Sequence, residues 1–306
     1  MNTSASSRSS HRFRRWQDQL QTPEGLKLLG KWVVYSLLLV NFGLYLMKDL
    51  IAAQHTITAE TTVMGWLGAF AASTESIAWV LLILVYEVET YWLDDDFDNK
   101  LVLGLMTLGK VVFVGFIINT LVAYSHLGLE VSGIRQIEPV GGLCGLADQG
   151  FSFLRNLEYI EITSNTCASI PHEGGLHQYP AEPVITDDAG KVEDSWFRYL
   201  DVVEAGTWLL ILALTEFSVR LQDRGIYEGF AIEFDKIMKV VLYLSLIGVS
   251  AFWLVKGHYM YVWDEILWVA SFVALDGNLS EWRKELEEAD RGSEPAQPAT
   301  KAVENT

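Results

Sequence analysis

Long apolar blocks without proline constrain this chain more than any other feature. Six of them have cores at 32–52, 63–86, 103–125, 199–219, 238–255 and 258–276. A stretch of about 18 or more apolar residues with few charges is long enough to cross a bilayer as a helix. In hydrocarbon every backbone N–H and C=O needs an internal partner, so such spans are helical. All seven prolines, at 23, 139, 171, 180, 183, 295 and 298, fall outside the six cores. The pattern therefore predicts six fairly straight transmembrane helices, with 256–258 as a tight hairpin link between the last two. Straight helices weigh against a transporter built on discontinuous ones. Half of the 306 residues are hydrophobic and only 20% are charged. With the apolar residues gathered in blocks, that composition excludes a simple soluble enzyme. A formal net charge of -17 disfavours nucleic acid as a partner, because phosphate contacts need clustered Lys and Arg.

Lys and Arg near the span ends set the orientation. Arg8, Arg12, Arg14, Arg15, Lys27 and Lys31 precede the first span, Arg220, Arg224, Lys236 and Lys239 follow the fourth, and Arg283, Lys284, Arg291 and Lys301 follow the sixth. Both termini are thus expected in the cytoplasm, and the expected location is a bacterial inner membrane. The chain divides into a basic N-terminal segment (1–22), helices 1–3 (23–125), an external cap (126–198), helices 4–6 (199–286) and a disordered tail (287–306). The cap holds both cysteines, Cys144 and Cys167. Two cysteines in one external segment point to a disulfide. Gly141, Gly142 and Gly145 mark turns there, and 157–163 reads as a strand.

The spans also resemble one another. Span 2 carries Glu75, Trp79, an LLIL run and Glu87; span 4 carries Glu204, Trp208, an LLIL run and Glu216, and the Glu–Trp–Glu offset is the same in both. Span 6 is a looser copy with Glu265, Trp268 and Asp276. The odd spans open on Lys31, Lys110 and Lys239, each followed by β-branched and aromatic residues. Lys110 to Lys239 and Glu75 to Glu204 are both 129 residues. Fixed spacing over two helices favours a duplication. The expected fold is an all-α integral membrane protein of three pseudo-repeated helical hairpins. The disulfide-bonded cap would be inserted between helices 3 and 4. Gly104 and Gly109 suit close helix contacts, within one chain or in a homo-oligomer.

Charge at depth carries the functional reading. Glu75, Glu204 and Glu265 sit eleven or twelve residues from the lower acids, roughly 17–18 Å along a helix. They are therefore expected inside the membrane. A carboxylate there is costly, and it faces a bundle interior, a partner or water. Such groups suit a proton relay or a small-cation path. A purely structural carboxylate, bonded to a neighbouring helix, is the alternative. Lys31, Lys110 and Lys239 with Glu87, Glu216 and Asp276 lie near the inner boundary. They read either as snorkelling lysines with solvated acids or as an inner ring of ion pairs.

Other clusters point to less. Asp94, Asp96 and Asp98 start like a calcium loop, but Asn99 and Leu105 occupy the positions that need glycine and glutamate. The outer histidines His55, His126, His172, His177 and His258 have no helical metal-site spacing, so no metal and no cofactor are expected. No enzyme motif is present. The function expected is a transporter or channel for protons or small cations. The alternative is a non-transporting subunit or sensor whose cap binds a protein partner.

Overall fold

The computed structural model describes residues 23–88, 99–180 and 182–273. It is mostly helical, with one small sheet region. In chain order the elements are α1 (Pro23–Thr56), α2 (Val63–Ala69), α3 (Ala71–Glu87) and α4 (Lys100–Glu130), then strands β1 (Arg135–Ile137), β2 (Ser152–Arg155), β3 (Glu158–Glu161), β4 (Leu176–Gln178) and β5 (Val184–Asp187), then α5 (Asp188–Asp223) and α6 (Phe230–Val255). The chain is helical again over 259–273, here α7.

Four helices are long and apolar enough to cross a membrane: Leu29–Thr56, Lys100–Gly133, Asp188–Gln222 and Phe230–Val255. The pair α2 and α3 makes a fifth candidate if it is taken as one bent span. Trp32, Leu39, Val40 and Met47 on α1 and Leu101, Leu105, Leu108 and Val111 on α4 are all exposed. Apolar surface of this extent is unfavourable in water, at about 25 cal/mol per Å². It is matched to lipid.

The expected straight second span is broken. α2 and α3 meet at Phe70 with a bend of 67°. No proline is involved. Phe70 leaves the helical region, at φ -116° and ψ 22°. The first N–H groups of α3 then need partners from elsewhere. Asp49 of α1 supplies one: its Oδ2 accepts from the Ser73 backbone N at 3.0 Å and from Ser73 Oγ at 2.5 Å. A carboxylate at a helix N-terminus also meets the positive end of the helix dipole. Span 4 differs, because α5 runs unbroken for 36 residues.

The helix ends elsewhere follow ordinary capping. Asn99 Oδ1 accepts from Leu101 N at 3.2 Å and Val102 N at 3.4 Å to start α4. Gly257, at φ +83°, ends α6. The His258 N–H reaches back to the Trp253 carbonyl at 2.9 Å, and α7 begins at once. A tight link at 256–258 is therefore present.

The chain separates into two compact units, 1–206 and 207–306, with the division inside α5. In the first unit α3 packs on α1 and α4, and α2 packs on the same two helices. Small side chains line these contacts: Ala71, Ser73, Ala78, Thr120 and Ala123 are buried, as suits close helix approach in lipid. Gly109 faces Val85 of α3, where an added Cβ would lie 3.8 Å from Cγ2. That glycine thus serves a contact within the chain.

The cap is a five-stranded sheet of order β1-β4-β5-β2-β3, antiparallel except for β2 beside β5. Alternation along the strands sends side chains to both faces. Phe153, Leu176 and Ile185 face a cluster with Leu143, Ile162, Cys167 and Ile170. Leu154, Val184 and Tyr179 face a second cluster with Ile134. The Cys144–Cys167 disulfide is formed and closes the first cluster. The strand expected over 157–163 is β3. β4, β5 and the first turns of α5 occupy the last part of the segment read as the cap, 126–198. α5 starts that early because Asp187 caps it, accepting from Gly190 N at 2.7 Å.

Candidate functional site

The site begins with a break and a phenol. The turn at Phe70 leaves Glu75 just inside α3, where the Trp79 indole N–H donates to Glu75 Oε1 at 3.4 Å. Asp49 stands on α1 beside the start of α3. α5 brings Asp201 and Glu204, three residues apart and so neighbours on one helix surface. All four carboxylates act electrostatically on the same group, the phenol of the half-buried Tyr124 on α4. Two of the three expected deep carboxylates, Glu75 and Glu204, are thus gathered around one residue. Glu265, the third, belongs to the second unit, where it is buried on α7 at 3% exposure.

A second cluster lies where the sheet meets the helices. Arg198 Nε donates to Asp194 Oδ2 at 2.7 Å, one turn back on α5. Tyr179 Oη donates to the same oxygen at 2.6 Å. Arg198 Nη1 reaches the Leu127 carbonyl near the end of α4 at 3.4 Å, and its guanidinium lies 5.4 Å from the Tyr179 ring centre. Both members of the ion pair are buried, with side chains 12% and 7% exposed. Glu182, between β4 and β5, feels Arg198, Glu130 and Asp194. Burial pushes its carboxyl up to about 7; Arg198 opposes the rise, while Glu130 and Asp194 add to it. Burial also holds the Tyr159 phenol well above its ordinary range, with Glu182 adding. Tyr179 is raised in the same way, first by burial and then by Asp194.

His55, near the end of α1, fixes the sheet to the helices. Its ring stacks on Tyr159 of β3 at 5.2 Å and 2°. Its Nδ1 lies 2.8 Å from Ser152 Oγ of β2. The other outer histidines have local partners: His126 with Glu130 at 3.4 Å, His172 with the Ile170 carbonyl at 3.0 Å, and His177 with Asp188 at 2.6 Å. His258 packs against Trp253 and Tyr261. Among the described residues no group of three or more His, Cys, Asp or Glu could hold a metal ion.

The boundary charges have separate surroundings. Lys31 lies 6.0 Å from the Tyr35 ring centre and Lys110 lies 5.2 Å from that of Tyr86. Lys239 pairs with Asp235 on its own helix at 3.5 Å, both side chains buried. Ser218 of α5 donates to Asp235 Oδ2 at 2.9 Å. Glu216 is half-buried on α5. The Glu87 side chain, Asp276, the acidic link over 89–98, and the two terminal segments 1–22 and 287–306 lie outside the described residues.

Tyr124, Asp201, Asp235 and the Arg198 cluster were not singled out from sequence. Two of them carried a signal. Asp194 and Arg198, like Asp235 and Lys239, are opposite charges four residues apart beside or within an apolar helix, the spacing of a helical ion pair. Tyr124 carried none, since a tyrosine near a span end reads as an interfacial anchor. Neither a protein-family model, nor a curated protein, nor a solved structure matches the chain.

Proposed function

We propose that this chain is a membrane transporter or channel for protons or small cations, with protons the better fit. The supporting observation is the gathering of Asp49, Glu75, Asp201 and Glu204 around Tyr124. Carboxylates that act on one partly buried phenol in a medium of low dielectric are costly to keep charged together. Such a group is built to hold and exchange protons. A small cation is the weaker fit, because no set of acids among the described residues is close enough to act as a metal cage. The broken helix adds support. In transporters, interrupted helices near the midplane line the bound substrate, and here the interruption opens beside Asp49 and Glu75.

In this reading the protein has six spans arranged as three related hairpins, with both termini in the cytoplasm of a bacterium and the sheet domain outside. Glu75 and Glu204 carry the proton in the first unit, and Glu265 does so in the second. Lys31, Lys110 and Glu87 mark the inner end in the first unit, and Lys239, Glu216 and Asp276 mark it in the second. A second reading, a non-transporting subunit or sensor, draws on Val140, which is 97% exposed beside the disulfide-linked turn and offers a partner an apolar contact. Flux of protons, sodium and potassium, measured one at a time in liposomes holding the purified full chain, separates the two. The transport reading expects proton flux above that of empty liposomes. Absence of flux for all three ions, with and without a membrane potential, would reject it.

A further inference from the structure

Glu182 is a carboxylate with one buried oxygen left over. It sits between β4 and β5, and its Oε2 is buried without a hydrogen-bond partner among the described residues. The charged and titratable groups around it come from several elements. α5 presents Arg198 and Asp194, α4 presents Glu130, and β3 presents Tyr159. Tyr179, at the end of β4, joins through Asp194. Arg198 thus acts on both Glu182 and Asp194, and its short ionic hydrogen bond goes to Asp194.

This group is electrostatically continuous with the deep acids. Asp201 is influenced by Arg198 and Asp194, and Asp201 in turn acts on Tyr124 with Glu75 and Glu204. Asp194, Arg198 and Asp201 follow one another at four- and three-residue steps, so they share a face of α5. The rise from Asp194 to Asp201 is roughly 10 Å. A line of acids therefore leads from the sheet domain into the helices, with Glu182 at its outer end.

We propose that Glu182 is the outer proton-loading group of the path, taking a proton from water on the sheet-domain side and releasing it toward Asp201. In the loading step the Glu182 carboxylate accepts a proton from hydronium and leaves water. In the release step the proton passes to a second carboxylate and Glu182 regains its charge. Nothing is oxidised or reduced. Arg198 stays charged and offsets the negative charge that Glu182 regains. The proposal rests on the proton-path reading above.

The test uses the full chain in proteoliposomes, comparing wild type, Glu182→Gln and Glu182→Asp. Infrared difference spectra would follow protonation of the carboxyl directly, without any need for flux. The wild-type minus E182Q difference is expected to show a carboxyl band that titrates near pH 7, and E182D to restore it. Proton flux driven from the sheet-domain side should fall about tenfold per pH unit above that point in wild type, as the loaded fraction falls. E182Q should lose that dependence and E182D keep it. Flux that needs Glu75 and Glu204 but is unchanged in E182Q would overturn this proposal and leave the proton path standing. Absence of that band from the wild-type minus E182Q difference would overturn it whatever the flux. A band without any wild-type flux would reject the proton path, and the loading role with it.

Discussion

Replacing Arg198 with methionine isolates the central electrostatic contact of the sheet domain. Methionine keeps the stem and its packing but removes the guanidinium. Asp194 Oδ2 then loses its 2.7 Å donor and keeps only the Tyr179 hydroxyl at 2.6 Å. Glu182 loses the one cation that opposes its burial. Breaking a buried pair from one side costs about 3–5 kcal/mol, because a charge is left uncompensated. Both side chains are under 15% exposed, so solvent screens little of this. R198M should therefore lose about 3–5 kcal/mol of stability near pH 8. The double variant R198M/D194N should recover much of it, since a neutral amide costs less to bury; a coupling of about 2–3 kcal/mol is expected. R198K should fall between, as a lysine cannot reach Asp194 and the Leu127 carbonyl with a planar fork. Denaturant unfolding in detergent, followed by the near-ultraviolet signal of the sheet-domain aromatics, reads these proteins together with the single variant D194N that the coupling requires. A loss below about 1 kcal/mol in R198M, the level of an exposed ion pair, would refute the argument that the pair is buried and unshared with water.

Three further outcomes follow from the same chemistry. Glu182 titrates at about 7 when folded against an ordinary 4.5, so the folded state binds the extra proton between those values. Its contribution is full below about pH 4.5 and is lost as pH rises through 7, a fall of about 3 kcal/mol at 1.36 kcal/mol per pH unit; E182Q should flatten that part of the stability–pH curve, and an unchanged slope would contradict the burial of this carboxyl. Cys144 and Cys167 close a loop with a separation of 23 residues, so C144S/C167S should cost about 3 kcal/mol; hydrogen exchange should show the loss in β2 and β4 and leave α6 unchanged. In the second unit K239M should cost about 3–5 kcal/mol by stranding the buried Asp235 carboxylate, and K239M/D235N should restore most of it; equal stability of the two variants would count against the pair.

What the sequence made legible follows from which forces are local. Long apolar blocks without proline are read directly as helices, and two cysteines in one short segment as a disulfide. The bend at Phe70 was hidden because Ala69, Phe70 and Ala71 contain no breaker, while the carboxylate that stabilises the new helix start, Asp49, lies 24 residues upstream of Ser73. β1 and β4 are three-residue strands, too short to show alternation. Their pairing, Arg135 with Gln178, spans more than forty residues. α5 outran its apolar core because Asp187 caps it from within the sheet. The deep carboxylates Glu75 and Glu204 stood out by their apolar surroundings. Asp201 did not, since it lies at the polar start of the apolar run. Arg198 is legible as a partner for Asp194, but its contacts with Tyr179 and Leu127 exist only once the sheet has folded against α4.

The most direct test of the account is proton flux into liposomes bearing wild type, Glu75→Gln or Glu204→Gln, read with an internal pH dye under an imposed membrane potential. The account predicts flux in wild type and its loss in both variants, with the disulfide and the unfolding transition intact. Equal flux in all three proteins, or none in wild type, would contradict it.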